Sequence, residues 1–327
     1  MTKRKLGKDG PDVSAIGLGC MRMSAAFGGQ AKDEAESIAT IRSALDRGIN
    51  FLNTADFYGS GHNELLVGRA IKGRRDEAVI SVKFGALMAP GGGFRGFDLR
   101  PASIKNFITY SLVRLSVETI DIYQPGRLDP SVPLEEVVGT IADLIKEGKV
   151  RYLGLSEVSS EPLRKAHSIC PVTALEVEYS LAKRMIEPEL LPTARELGIG
   201  IVAFGNTAQG LLTGHVNAPL EPGDMRNRLP RFQGENLSSN LEKVEVLKTM
   251  ARDKGYSPAQ LAIAWVHAQG NDIMPLVGMS QPSRLAENLQ ALEITFTNEE
   301  LARLHTTFAL GAIRGESYPP PPGHASK

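Results

Sequence analysis

Cysteine is nearly absent from this chain: 327 residues carry two, Cys20 and Cys170. They lie far apart and form no CxxC, which argues against a disulfide framework and a thiolate metal cluster. The six histidines, His62, His167, His215, His267, His305 and His324, are scattered, and no HExxH occurs. No metal site is expected. An excess of either charge is missing too: 37 Lys and Arg face 37 Asp and Glu. No field of one sign draws the chain to nucleic acid or an anionic membrane. Apolar runs of the ~18 residues that span a bilayer are also lacking. The basic start, Met1-Thr2-Lys3-Arg4-Lys5, has no apolar stretch behind it, so it does not read as a secretory leader. A reducing cytoplasm is the expected location, and oligomeric state stays open. Nucleotide fingerprints are absent as well. Gly17-Leu18-Gly19 begins a GxGxxG, but Arg22 stands where the third glycine belongs, and no GxxxxGK[ST] exists. A Rossmann dehydrogenase and a P-loop NTPase both lose support.

What is present is ordinary globular composition, 42% hydrophobic and 23% charged. After an N-terminal hairpin pattern, short apolar runs recur at 15–18, 50–52, 78–82, 120–123, 152–155, 174–177, 200–204 and 274–277. Most lack polar alternation, as expected of strands covered on both faces. Amphipathic helical patterns separate them, at 33–47, 63–71, 101–115, 134–146, 161–168 and 187–197, with 282–292 after the last run. An extra pair, 237–254 and 257–268, precedes the eighth run. Eight βα units without a linker predict a closed (β/α)8 TIM barrel, one domain over 1–327, with a doubly wound open sheet as the competitor. Two long irregular segments, 85–100 and 213–235, would rim the C-terminal face of such a barrel. The tail 308–327, with prolines at 319–322, reads either as functional or as disordered.

The most informative stretch is Asn50-Phe51-Leu52-Asn53-Thr54-Ala55-Asp56-Phe57-Tyr58-Gly59-Ser60-Gly61-His62-Asn63-Glu64. It resembles the aldo-keto reductase superfamily, whose pattern is close to F-x-D-T-A-x-x-Y-G-x-G-x-x-E. The likeness continues in Ser81-Val82-Lys83-Phe84-Gly85, Gly154-Leu155-Ser156-Glu157, Gly210-Leu211-Leu212-Thr213-Gly214 and Arg284-Leu285-Ala286-Glu287-Asn288. It runs over essentially the whole chain, and so many matches in order are specific. The resemblance implies reduction of a small-molecule carbonyl, an aldehyde or ketone, by NAD(P)H in a barrel. Tyr58 matches the proton donor and Lys83 the ammonium that acidifies it. Two departures stand out. Asn53 occupies the place of an Asp that would balance Lys83, leaving that ammonium unpaired. Gly126 occupies the place of a His, supplying no donor but opening room beside Tyr58. Both changes are similar to fungal pyridoxal reductases, which makes a pyridoxal-like aldehyde a candidate substrate.

The cofactor residues also follow from the resemblance. Ser156 matches the serine on the carboxamide, with Glu157 and Glu176 where Asn and Gln are usual. Phe204 takes the place of the ring that stacks on nicotinamide. Gln209 replaces an Arg near the pyrophosphate. Arg284, with Ser280, matches the 2′-phosphate reader, and Glu287 and Asn288 the adenine positions. NADPH is the expected cofactor, with NADH as the alternative. Two rival readings remain open: a barrel that binds NADPH with weak or no turnover, and an aldolase using Lys83 as a Schiff base.

Overall fold

A computed structural model describes residues 1–24, 33–90, 93–216 and 220–318. The backbone clusters into two compact units. One comprises Met1–Val177, Ile186–Phe204 and Gly270–Glu287, the other Glu178–Met185, Gly205–Gln269 and Asn288–Lys327.

In chain order, β1 (Lys3–Lys5) and β2 (Asp12–Ser14) form an antiparallel hairpin. β3 (Gly17–Gly19), β4 (Phe51–Ala55) and β5 (Val79–Phe84) enter the main sheet. β6 (Ala86–Met88) and β7 (Phe94–Phe97) make a second hairpin. β8 (Ile120–Pro125), β9 (Val150–Ser156), β10 (Val172–Glu178), β11 (Gly200–Phe204) and β12 (Ile273–Gly278) complete the sheet. The parallel strands close into a ring in the order β10-β11-β12-β3-β4-β5-β8-β9. This is a (β/α)8 barrel, and each strand overlaps an expected apolar run. The second hairpin is a departure, because 85–100 reads as irregular in the sequence.

Helices α1 (Glu34–Asp46), α2 (His62–Ile71), α3 (Pro101–Leu115), α4 (Leu134–Lys146), α5 (Ser160–Ile169) and α6 (Leu190–Leu197) alternate with the strands. Local chemistry sets their ends. The Asp33 carboxylate accepts from Glu36 N to open α1. Pro101 opens α3, and Ser116 closes it in a left-handed conformation. Val137, Val138, Ile141 and Leu144 form the buried stripe of α4.

The first hairpin closes the barrel floor. Leu6 and Val13 pack with Phe51, Ile122, Ala174, Val202, Met274 and Leu276. A Cβ at Gly7, whose φ is +72°, would meet the Thr173 carbonyl oxygen at 2.6 Å. That approach accepts only glycine. The floor is therefore sealed, and chemistry is left to the opposite, C-terminal end.

The second unit holds α7 (Gly234–Lys254), α8 (Pro258–His267) and α10 (Asn298–Thr307), while α9 (Pro282–Leu289) follows β12. Capping boxes start α8 at Ser257/Gln260 and α10 at Thr297/Glu300. The fully buried Trp265 lies 5.3 Å from the Tyr179 ring, centroid to centroid. The start of the tail is packed: Phe308 is fully buried and Ser317 buried. Residues 319–327 lie outside the described residues.

Candidate active site

Strand periodicity builds the site. Alternate residues of a barrel strand point inward. Phe51, Ile122 and Ala174 belong to the apolar floor. Two residues further along the same strands stand Asn53, Gln124 and Glu176, all buried. Lys83 joins this layer from β5, in register with Gln124, and Ser156 pairs in register with Glu176. The barrel interior thus changes from hydrocarbon to a polar layer within one step of the pleat. Gly154 makes room for it, since a Cβ there would meet Gln124 Oε1 at 2.8 Å.

Lys83 is the hub of that layer. Its Nζ donates to Asn53 Oδ1 at 2.6 Å and to Glu176 Oε1 at 2.7 Å. Glu176 Oε2 accepts from Asn53 Nδ2 at 2.7 Å and from Gln124 Nε2 at 2.5 Å. An ammonium only donates and a carboxylate only accepts, so the orientation of the Asn53 amide is forced. Nζ also lies 5.4 Å from the Tyr58 ring centroid, close enough for the two groups to act on each other's charge. Burial pushes the ammonium toward its neutral form, but the Glu176 carboxylate and Tyr58 outweigh it. The net direction is upward. The expectation that Asn53 leaves Lys83 without a carboxylate is therefore corrected: β10 supplies one. Cys20, after β3, is fully buried, and burial pushes its thiol up to about 12 against the pull of Lys83.

The expected room at Gly126 is also corrected. A Cβ there would lie 3.2 Å from Phe57 Cε1 and 3.2 Å from Phe97 Cε1. Phe57 and Tyr58 meet edge to face, with ring centroids 5.1 Å apart. Phe97 comes from the unforeseen hairpin β6–β7. Next to Gly126, Arg127 Nη1 donates to the Gly126 carbonyl at 2.6 Å and to Ser156 Oγ at 3.3 Å.

The remaining expected residues spread more widely. Glu157, following Ser156, has φ +53°. Phe204 ends β11 half-buried against the apolar floor. Ser280 is half-buried just before α9. Arg284, in the first turn of α9, pairs with Glu287 at 2.6 Å, the two side chains being 58% and 34% exposed. Gln209 and Asn288 belong to the second unit. There Gln209 has φ +54°, between Ala208 at +51° and Gly210 at +92°. Arg231 Nη1 donates to Gln209 Oε1 at 3.1 Å, and Arg226 Nη1 lies 3.5 Å from the Gln209 carbonyl oxygen. Sequence reasoning missed these two arginines. The signal for them was Arg226, Arg228 and Arg231 crowded into an irregular segment. Non-glycine residues with positive φ are uncommon and gather where function constrains the backbone. Here Ser60, Glu157, Ala208 and Gln209 follow closely after Tyr58, Ser156 and Phe204.

A second buried polar cluster begins at Asp56. Glu64 is fully buried and accepts from Arg114 Nε at 2.5 Å. Asp56 Oδ1, Glu64 Oε1 and the Tyr123 hydroxyl have no hydrogen-bond partner among the described residues. Burial, with Glu64 nearby, pushes the Asp56 carboxyl up to about 8. Burial also raises Glu64, against Arg114.

The model of the aldo/keto reductase family matches residues 15–307. Among solved structures, the glycerol dehydrogenase AKR11B4 from Gluconobacter oxydans shares 29% identity over 99% of each chain, with a TM-score of 0.85. The aldo-keto reductase AKR11C1 from Bacillus halodurans, in its holo form, shares 28% identity over 94% of this chain and 96% of its own, at a TM-score of 0.77. The thermostable aldo-keto reductase Tm1743, solved with the inhibitor epalrestat, shares 25% identity over 94% of this chain and all of its own, at 0.76.

Proposed function

The chain belongs to the aldo/keto reductase family, oxidoreductases that use a nicotinamide cofactor, and from that premise we propose that it reduces an aldehyde or ketone to the alcohol with NADPH. Tyr58 gives the proton to the carbonyl oxygen. The observation that carries this reading is the Tyr58–Lys83–Glu176 arrangement, with Lys83 Nζ 5.4 Å from the Tyr58 ring centroid and ion-paired at 2.7 Å to Glu176. A neighbouring ammonium stabilises the phenolate left after proton transfer. Glu176 keeps that ammonium charged inside a water-poor barrel, so the acid does not depend on solvent.

The residues present fit the cofactor. When bound, the nicotinamide supplies the hydride. Ser156 offers a buried hydroxyl for its carboxamide, and Glu176 retains accepting capacity: three donors reach it, against about four lone-pair sites on a carboxylate. Phe204 offers a half-buried ring, and Glu157 lies beside Ser156. In the second unit, the left-handed run Ala208–Gly210 beside Arg226 and Arg231 makes a cationic turn suited to phosphate. A Cβ on Gly210 would meet Arg226 Nη1 at 3.1 Å. Ser280 and Arg284 at the start of α9 support a 2′-phosphate contact, with Glu287 and Asn288 near the adenine. Glu287 already holds Arg284, so the preference for NADPH over NADH is modest.

On the substrate side, Phe57 and Phe97 flank Gly126. These rings favour an aldehyde carried on a flat ring, of the pyridoxal kind. One observation supports the second reading, an NADPH-binding barrel with weak turnover: Gly126 has no side chain to donate to the carbonyl oxygen. A panel of aromatic and aliphatic aldehydes with NADPH, followed by absorbance loss beside a direct NADPH titration, separates the two. Binding with turnover of ring aldehydes supports the reductase. Binding without turnover of any aldehyde supports the alternative.

A further inference from the structure

We propose that Glu176 is the positioning residue that holds Lys83 charged, and that Asn53 and Glu176 form an exchanged pair in which the carboxylate sits on β10 and the amide on β4. The inference rests on the reading of Tyr58 and Lys83 as the proton-donating pair, and it accounts for how that pair works when residue 53 is an amide.

The contacts specify the exchange. Each oxygen of Glu176 has a donor: Lys83 on Oε1, Asn53 and Gln124 on Oε2. Asn53 bridges ammonium and carboxylate, accepting from one and donating to the other. Glu176 and Lys83 are 7% or less exposed at the side chain, so little water competes. The titratable groups acting on Lys83 are Glu176 from β10 and Tyr58 from the loop after β4, and the Cys20 thiol after β3 feels its charge. Glu176 is the carboxylate among them. Gln124, accommodated by the missing side chain at Gly154, fixes the Glu176 rotamer from the other side.

The arrangement makes a clear statement about substitutions. Asn53→Asp alone does not restore a missing charge. It sets a second carboxylate where Asn53 Nδ2 now donates to Glu176 Oε2 at 2.7 Å, and two carboxylates so close do not both ionise freely. Glu176→Gln alone leaves Lys83 buried without a counter-charge. The double variant Asn53→Asp/Glu176→Gln conserves charge and the contact set. The carboxylate at 53 accepts from Lys83 and from the amide at 176. Gln124 then turns its Oε1, which has no hydrogen-bond partner among the described residues, to the new amide.

The test compares the parent, both single variants and the double variant in two ways: the pH–rate profile of NADPH-dependent aldehyde reduction where chemistry limits, and stability in denaturant. Glu176→Gln should move the alkaline limb at least ~1 unit toward lower pH, because an unbalanced buried ammonium deprotonates earlier. Turnover on that limb should fall ~10-fold, as one pH unit implies. The double variant should return the limb to within ~0.3 unit of the parent and regain most of the stability that each single change removes. A Glu176→Gln profile that overlays the parent, or stability losses that simply add in the double variant, overturns the proposal. Should Asn53→Asp fail to fold, Lys83→Met closes the cycle: Glu176→Gln should destabilise the parent and have little effect beside Lys83→Met. If the parent reduces no carbonyl, the reductase reading fails, while the denaturant cycle still decides whether residues 53, 83 and 176 act as one charge unit.

Discussion

Two polar clusters lie buried in the same barrel unit, and they begin three residues apart. The one at Asn53 holds one ammonium, one carboxylate and two amides. The one at Asp56 holds two carboxyls, one arginine and a phenol. In the first, the charges pair and Lys83 is pushed upward, staying an ammonium. In the second, Arg114 reaches Glu64, and Asp56 rises to about 8, toward its neutral form. Burial is similar in both. What differs is the ratio of cations to carboxyls, and that ratio decides which groups remain charged. The exposed Arg284–Glu287 pair is a third point on this scale, where water screens what pairing would give.

The tyrosines of the two clusters, Tyr58 and Tyr123, test the comparison most sharply. Tyr58→Phe keeps the ring over Lys83 and removes only the hydroxyl. Turnover should fall ~10²-fold or more while NADPH still binds, measured by steady-state kinetics and cofactor titration. Next in size is Arg284→Ala. Glu287 already engages this guanidinium, so the loss of NADPH affinity should sit at the low end for a charged hydrogen bond, about 1.5 kcal/mol or ~10-fold. NADH affinity should barely change, and isothermal titration with both cofactors checks the split. Asp56→Asn addresses the carboxyl whose Oδ1 has no hydrogen-bond partner among the described residues. The folded-state value, about 8, lies above the ordinary value of 3.8. The native state therefore binds the extra proton between those values, and stability from this group falls as pH rises from about 4 to 8. The variant lacks that loss, so its melting temperature should gain on the parent's steadily between pH 5 and 8. The smallest effect belongs to Tyr123→Phe. Its hydroxyl has no hydrogen-bond partner among the described residues, so chemical denaturation should show no loss and a gain of up to about 1 kcal/mol. Turnover should not move.

Much of the fold was legible because burial on both faces writes strands as bare apolar runs, and the eight runs lie in the order of the eight barrel strands. The hairpin β6–β7 was not legible. Its strands are short and partly exposed, and the sequence between them, Pro90-Gly91-Gly92-Gly93, reads as loop. At the site, the residues of the Tyr58 motif were visible through their resemblance to the aldo-keto reductase pattern. The partner of Lys83 was not, because Glu176 is 93 positions away and meets it only across a closed barrel. Motif reasoning compared residue 53 with its counterpart and found a charge missing. It could not see that the charge had moved to another strand. The room assigned to Gly126 failed for a similar reason: an absent side chain says nothing about which neighbours fill the gap.

The span of the Lys83–Glu176 tie also bears on how the chain assembles. In the ring, β5 and β10 are separated by β8 and β9. The ion pair therefore cannot form until this four-strand arc curves across the interior. Before closure, each charge on its own resists leaving water, at a cost of several kcal/mol per ion. A half-built barrel thus keeps its catalytic end hydrated, while the apolar floor is free to collapse first. Drying of that end goes with the curving of these four strands around the interior. Acid chemistry and the curvature of the sheet are thereby tied to the same pair of side chains.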